Sequence, residues 1–329
     1  MRAAGRRLFP GRSAEPRRAS LDLRVPRACE SRWVLLWRDE GDPPSGASLL
    51  YHAAAAVEAM PPGAGRAWLG RYLDAKLLRV RIDRRRPAIE VALRASLWPC
   101  RLEEAGSRRA ASATRVAWLR AVDAPGMPPF GALLGAACAR RAAQELDALV
   151  VDVTARRALT PGETALVEPE AFALGDVVSV RLRADRDRRI AAHTAGLSRL
   201  GLPELEVRGA SAAVREAARR LLLSVGQRLH ALLAEQAGEE RGVPRTLRVE
   251  LPLAVHSDDL ARGASRSSVP ESAPLAAGLA RLPSWPARPR LLVTPPPGSG
   301  LAVSAWLYGA ALEFLCPEGV PGVVGSLRR

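Results

Sequence analysis

The longest apolar stripe of the chain lies within residues 211–238, where apolar side chains recur at spacings of three and four. This spacing places them on one face of a helix, while arginine, glutamine and glutamate occupy the opposite face. Ser211 at the start and Gly238 at the end are typical of helix termini. Such a stripe is buried only against a sheet or another helix, so the chain must contain a second layer.

Several segments have the alternating pattern of β-strands. Residues 78–82 alternate apolar residues with arginine, and residues 89–97 alternate again after an intervening turn. This pattern predicts a β-hairpin with one buried face and a solvated face that carries arginines. Residues 178–184 and 189–194 predict a second hairpin. Further strands are predicted at 33–37, 114–122, 148–153, 246–251 and 291–294.

Two further helices are predicted at 47–60 and 131–146. Hairpins combined with long helices predict an α+β fold, in which antiparallel or mixed sheets pack against the helices. The element order is compatible with two similar α+β units, although we find no residue-level repeat. The predicted organisation is a flexible basic tail at 1–30, an α+β unit at 31–128, a second α+β unit at 129–251, a loop or disordered insertion at 252–289, and a strand with an apolar segment at 290–316 that returns to the second unit.

The formal net charge of +15 raises the hypothesis of nucleic-acid binding. Lys76 is the only lysine, however, and near-total use of arginine with abundant alanine is typical of codon bias in a GC-rich genome. Much of the excess charge lies in the first 38 residues, and aromatic residues make up only 4%, which argues against base stacking on single strands. Nucleic-acid binding through the Arg-rich tail and the first hairpin is therefore an alternative rather than the main prediction.

Familiar catalytic motifs are absent from the sequence, including Walker A, G-x-G-x-x-G, G-x-S-x-G and H-E-x-x-H. The four cysteines, at positions 29, 100, 138 and 316, are too widely spaced for a zinc knuckle or a disulfide framework. We therefore expect free thiols in a reducing compartment. We also expect a cytoplasmic, soluble protein with no membrane association, because the sequence has no secretory signal and no uninterrupted spanning segment.

The most distinctive segment runs from His193 to Glu206 and reads H-T-A-G-L-S-R-L-G-L-P-E-L-E. Two glycines permit sharp turns on either side of Arg199. In a strand, Glu204 and Glu206 point to the same face, so they are expected to meet His193 and Arg199 at one end of a sheet. His193, Glu204 and Glu206 are therefore the candidate catalytic residues.

This segment resembles a pattern in a family of uncharacterised bacterial hypothetical proteins, H-T-x-G-x-x-R-x-G-x-P-E-L-E, located between a hairpin and a long helix. The resemblance extends over residues 131–251 and includes a strand ending at Asp152 that is followed by two arginines. Leu200 departs from the pattern, where an aromatic residue is expected. The resemblance implies a domain of unknown function and carries over no catalytic role.

Three interpretations of the segment remain open. It forms a structural corner in which Arg199 pairs with Glu204 or Glu206, or a binding site that uses Arg199, Thr194 and Asp152, or a catalytic or metal site. Overall we predict a non-enzymatic cytosolic interaction or regulatory protein, with a protein or small-molecule partner, no cofactor and no bound metal. The alternatives are a hydrolase or metal-dependent enzyme that uses the three candidate catalytic residues, and nucleic-acid binding.

Overall fold

The computed structural model confirms the α+β class, with antiparallel and mixed sheets packed against helices. The predicted tail up to residue 18 and the apolar segment after residue 294 lie outside the part of the chain that it describes. The described residues are 19–38, 42–100, 102–162, 166, 172–184, 189–211, 215–240, 242–251, 253–255, 275–281 and 290–294.

Helices and strands alternate in groups along the chain. The helices are α1 (Gly46–Glu58), α2 (Ala64–Asp74), α3 (Pro87–Leu97), α4 (Glu104–Ser112), α5 (Phe130–Glu145), α6 (Leu174–Val177) and α7 (Arg215–Glu239). The strands are β1 (Ala19–Arg24), β2 (Cys29–Trp37), β3 (Leu78–Arg84), β4 (Arg115–Asp123), β5 (Leu149–Asp152), β6 (Arg157–Leu159), β7 (Ser179–Ala184), β8 (Arg189–Ala195), β9 (Glu204–Ser211), β10 (Thr246–Leu251), β11 (Leu253–Val255), β12 (Leu275–Arg281) and β13 (Arg290–Thr294).

The first sheet is antiparallel, with strand order β3-β4-β2-β5-β6. Its central strand β2 is apolar on both faces because helices cover both sides. Trp33 and Leu35 pack towards α1, α2 and α5, whereas Val34 and Leu36 pack towards α3 and α4. A continuous apolar run, rather than strict alternation, is the pattern expected of a strand buried on both faces.

The second sheet has the order β11-β12-β13-β9-β8-β7, and its strands are antiparallel except for the parallel pair β13–β9. Helix α7 packs its apolar stripe on this sheet, with Leu222, Val225 and Leu229 fully buried. Helix α5 contacts both cores, since Leu133 belongs to the core under α7 and Leu134 to the core of the first sheet.

The structure corrects the first predicted hairpin. Residues 89–97 belong to helix α3, which begins at Pro87, a residue whose fixed φ suits the first helical position. Ile89, Leu93 and Leu97 are spaced by four and share one helical face, which packs on the first sheet. Alternation over so few residues also fits helical spacing, and the proline is the signal that distinguishes the two structures.

Two segments expected to lack regular structure contain strands. Residues 19–24, assigned to the basic tail, form β1 and pair with β10, and Leu23 is buried in the core under α7. Within the insertion predicted at 252–289, residues 253–255 and 275–281 form β11 and β12. Leu21, Leu23 and Val25 alternate with Ser20, Asp22 and Arg24, so β1 does have the pattern of a half-buried strand, which the Arg-rich residues around it obscured. Residues 253–255 and 275–281 are short or rich in alanine and show no such period.

Among the helices of the described ranges, none has both the length and the apolar composition needed to cross a bilayer.

Candidate functional site

The His193–Glu206 segment folds into a corner between strands β8 and β9. Residues 197–200 form a single 3₁₀ turn, flanked by Gly196 with φ +118° and Gly201 with φ +82°. Both conformations are left-handed and strongly favour glycine. At Gly196 there is also no room for a side chain, because a Cβ atom would lie 2.8 Å from the carbonyl oxygen of Val177. The two glycines therefore fix the direction in which the turn presents Arg199.

Glu204 holds this corner together from inside. Its carboxylate accepts hydrogen bonds from the backbone N–H groups of Gly196 at 2.9 Å and Leu197 at 3.3 Å, and from the Thr194 hydroxyl at 2.8 Å. Thr194 Oγ1 in turn accepts the N–H of Leu205 at 2.7 Å. Because Glu204 and Thr194 are both buried, these bonds are shielded from water and stabilise the turn.

The side chain of Arg199 extends from the corner and contacts the first sheet. Its Nη2 donates to Oδ1 of Asp152 at 2.6 Å, and its guanidinium lies 5.6 Å from the ring centroid of Trp33. Asp152 Oδ1 also accepts the N–H of Ala155 at 2.9 Å. The prediction that Arg199 pairs with Glu204 or Glu206 is therefore wrong: its ion-pair partner is Asp152, from strand β5 of the other sheet.

The predicted site residues thus separate into two internal networks. Thr194 and Glu204 belong to the corner, and Arg199 and Asp152 form a pair between the sheets. His193 is half-buried and faces Glu206 across the β8–β9 register. Within the described ranges, no group of three His, Cys, Asp or Glu side chains is placed to hold a metal ion, so His193, Glu204 and Glu206 do not form one.

An open cleft of about 590 Å³ lies outside the corner, where the two sheets meet. Ser198, Pro203 and Glu204 form one wall, and residues of β2 and the end of β5 form the other. Its acidic groups already have partners. The Glu204 carboxylate accepts hydrogen bonds from residues of the corner. Glu30 lies within ion-pair distance of Arg32 and Arg120, and these two arginines lower the pKa of the Glu30 carboxyl group.

A larger cavity, of about 790 Å³, lies on the far side of the first sheet between α3 and α4. We call it the α3–α4 groove. Its apolar lining is Leu93, Leu97, Trp98, Leu102, Ala110 and Ala111, and its polar lining is Arg85, Glu90, Arg94 and Ser107.

Arg85 fixes the geometry of this groove. It makes a two-pronged contact with Glu90 of α3, with Nε 2.6 Å from Oε2 and Nη2 3.0 Å from Oε1. Its Nη1 donates to the carbonyl oxygens of Ala111 and Ala113 at the end of α4, at 3.1 and 3.2 Å. Hydrogen bonds from Arg85 and Arg94 lower the pKa of Glu90 to about 2. The groove is therefore held open by a bridge between the two helices.

Two large apolar side chains of this region face solvent. Trp98 is 87% exposed and Val91 is 74% exposed. The turn that carries Trp98 is nevertheless anchored, since Cys100 is buried and the carbonyl oxygen of Pro99 accepts a hydrogen bond from Arg181. Trp98 is thus an exposed indole on a fixed turn at the mouth of an apolar groove.

Sequence reasoning missed Trp98 because it interpreted residues 89–97 as a strand. At about 100° per residue, Ile89, Leu93 and Leu97 fall on one helical face, while Val91 and Trp98 fall together on the opposite face. Two large apolar residues outside the buried face of a helix are the signal that would have identified this surface.

Among known proteins, no protein-family model, no curated protein and no solved structure matches the chain.

Proposed function

We propose that this protein is a non-enzymatic interaction protein that docks another protein in the α3–α4 groove. The observation that carries the proposal is Trp98, which is 87% exposed beside an apolar cavity of about 790 Å³. Exposed apolar surface rimmed by polar residues is typical of interaction sites. Tryptophan is also among the residues that most often dominate binding energy at protein interfaces.

The chemistry of the His193–Glu206 segment supports a non-enzymatic role. A general acid or base must reach a substrate. Although Glu204 borders the open cleft, it is only 6% exposed and its carboxylate accepts three internal hydrogen bonds. Arg199 and Asp152 form a fully buried pair. In this proposal the segment has a structural role: it joins the two sheets and so stabilises the sheet on which the groove lies.

The cysteines support a cytoplasmic location. Cys29, Cys100 and Cys138 are buried free thiols. Burial raises the pKa of Cys100 to about 11, so that side chain is a protonated, unreactive thiol at neutral pH. Free buried thiols are the usual state of cysteine in a reducing compartment.

Photo-crosslinking tests the docking site. The photoreactive residue p-benzoylphenylalanine replaces Trp98 in one sample and Val243 in a control, because Val243 is an exposed apolar residue that does not line the groove. We expect a discrete protein adduct from position 98 only. The captured protein, once identified and purified, should bind the wild-type chain at least about tenfold more tightly than the Trp98→Ala variant. Adducts that are equal from both positions, or binding unaffected by Trp98→Ala, would contradict the proposal.

A further inference from the structure

We infer that the partner segment docked in the α3–α4 groove is an acidic amphipathic helix. This inference rests on the proposed docking function and adds the chemistry of the partner. It follows from two features of the groove: its shape and the charge of the chain around it.

The shape fits a helix. The groove runs between two helices, α3 and α4, and its floor is formed by the apolar side chains of Leu93 and Ala110. An amphipathic helix recognised in this way inserts the apolar residues of one face, at i, i+3 or i+4, and i+7.

The charge of the chain around the groove indicates which charged residues the polar face of that helix should carry. Residues 84–112 contain seven arginines and three glutamates. Four of those arginines pair with carboxylates: Arg85 and Arg94 with Glu90, Arg108 with Glu104, and Arg109 with Asp147. Residues 84–112 taken together with Asp147 therefore keep an excess of three positive charges. Arg84 and Arg86 are exposed on either side of Arg85. Complementary charge steers a partner and fixes its register, so glutamate or aspartate residues are expected beside its apolar face.

Two synthetic amphipathic peptides test this inference. They share the same apolar residues at i, i+3, i+4 and i+7, and carry glutamate in one peptide and lysine in the other at all exposed positions. Isothermal titration with the full-length protein should show the glutamate peptide binding at least about tenfold more tightly. Its affinity should fall with rising salt, as expected of charge complementarity at an exposed rim.

Matched variants locate the binding. Trp98→Ala should abolish most of the peptide affinity, whereas Val243→Ala should not change it. Neutralising the rim with Arg86→Gln and Arg94→Gln should reduce the preference for the glutamate peptide, whereas Arg24→Gln, at an exposed arginine of β1, should leave it unchanged. Circular dichroism confirms that each variant is folded, and the comparison of the two peptides on the wild-type protein needs no variant.

The outcomes separate the inference from the proposed function. If both peptides bind equally and both depend on Trp98, the groove docks helices, but the acidic partner is excluded. If neither peptide binds while position 98 still crosslinks to a partner protein, the helical acidic partner is again excluded and the docking function stands. If neither peptide binds and no adduct forms, both fail. Self-association through Trp98, or binding of a DNA duplex that competes with the peptide, also overturns the inference.

Discussion

Nη2 of Arg199 lies 2.6 Å from Oδ1 of Asp152, and both side chains are 1% exposed. The arginine belongs to the corner that precedes β9, and the aspartate ends β5, so this ion pair joins the two sheets through the interior. Burying two charges is costly, and the attraction between them offsets that cost only while both are present. The pair therefore stabilises the contact between the two sheets only while both charges are present.

Removing one member of this pair should be strongly destabilising. Asp152→Ala leaves the Arg199 charge buried without its partner, and we expect a loss of about 3–5 kcal/mol in the free energy of unfolding. The double variant Asp152→Leu, Arg199→Met removes both charges and should lose much less. Urea unfolding followed by circular dichroism measures the wild type, the single variants Asp152→Leu and Arg199→Met, and the double variant, which together close a mutant cycle. A double variant as unstable as the sum of the two single variants would contradict an energetic coupling between the residues.

Glu204 should prove structural rather than catalytic. In Glu204→Gln, the amide NH₂ group replaces one of the oxygens that accept from Gly196, Leu197 and Thr194, so a donor then faces a donor. We expect a loss of about 1–3 kcal/mol in the free energy of unfolding, the usual cost of an unsatisfied buried polar group.

Thr194 provides the matched control for this network. Thr194→Ser keeps the hydroxyl that bonds Glu204 and Leu205, whereas Thr194→Val removes it and keeps the volume. Thermal unfolding should rank Thr194→Val as the less stable of the two. The opposite order would show that the methyl group, and not the hydrogen bonds, stabilises the corner.

The sequence predicted the corner but not its partner. The two glycines and the alternation around them located the turn, because glycine spacing is a local property that a pattern records. The ion pair of Arg199 depends on how two sheets pack, with 47 positions separating it from Asp152, and no local pattern encodes such a contact. The hypothesis therefore placed Arg199 beside the nearest carboxylates in sequence.

The same distinction explains the error at residues 89–97. Ile89, Val91 and Leu93 alternate as a strand would, yet Pro87 begins a helix there. Alternation over a short segment is compatible with both structures, and the contact with the first sheet decides between them. The consequence for function is direct, because the α3–α4 groove exists only if this segment is helical.

His230 makes stability depend on pH. It lies on α7 and is buried, its ring packs edge-on against Phe172, and Nε2 lies 3.3 Å from the carbonyl oxygen of Met127. Burial lowers the pKa of His230 in the folded protein, although the Met127 contact acts in the opposite direction. The unfolded chain, with a histidine pKa of about 6.5, therefore takes up the proton more readily.

It follows that this contribution to stability is complete above about pH 6.5 and is lost as the pH falls below that value. Between about pH 7 and about pH 5 the His230 contribution should decrease, whereas Asp123, whose pKa burial raises to about 6, contributes with the opposite sign. The stability of the wild type relative to His230→Gln, whose amide can still donate to Met127, should therefore decrease over this range. Denaturant unfolding of both proteins at both pH values measures the difference. An identical pH dependence in the two proteins would contradict a contribution from His230.

Gly135 and Gly70 form a matched pair that tests the packing of α5 on the first sheet. Both lie inside helices, so replacement by alanine should gain about 0.5–1 kcal/mol from helix propensity alone. A Cβ atom at Gly70 meets nothing within 4 Å, and Gly70→Ala should show that gain.

At Gly135 the Cβ atom would lie 2.4 Å from Cζ3 of Trp33. The indole is fully buried in β2 and has no free space into which to move, so Gly135→Ala should be overpacked and lose about 1–3 kcal/mol. Thermal and urea unfolding of both variants measure the predicted gain in stability for Gly70→Ala and the predicted loss for Gly135→Ala. A Gly135→Ala protein as stable as Gly70→Ala would mean that α5 does not pack on Trp33 at this distance.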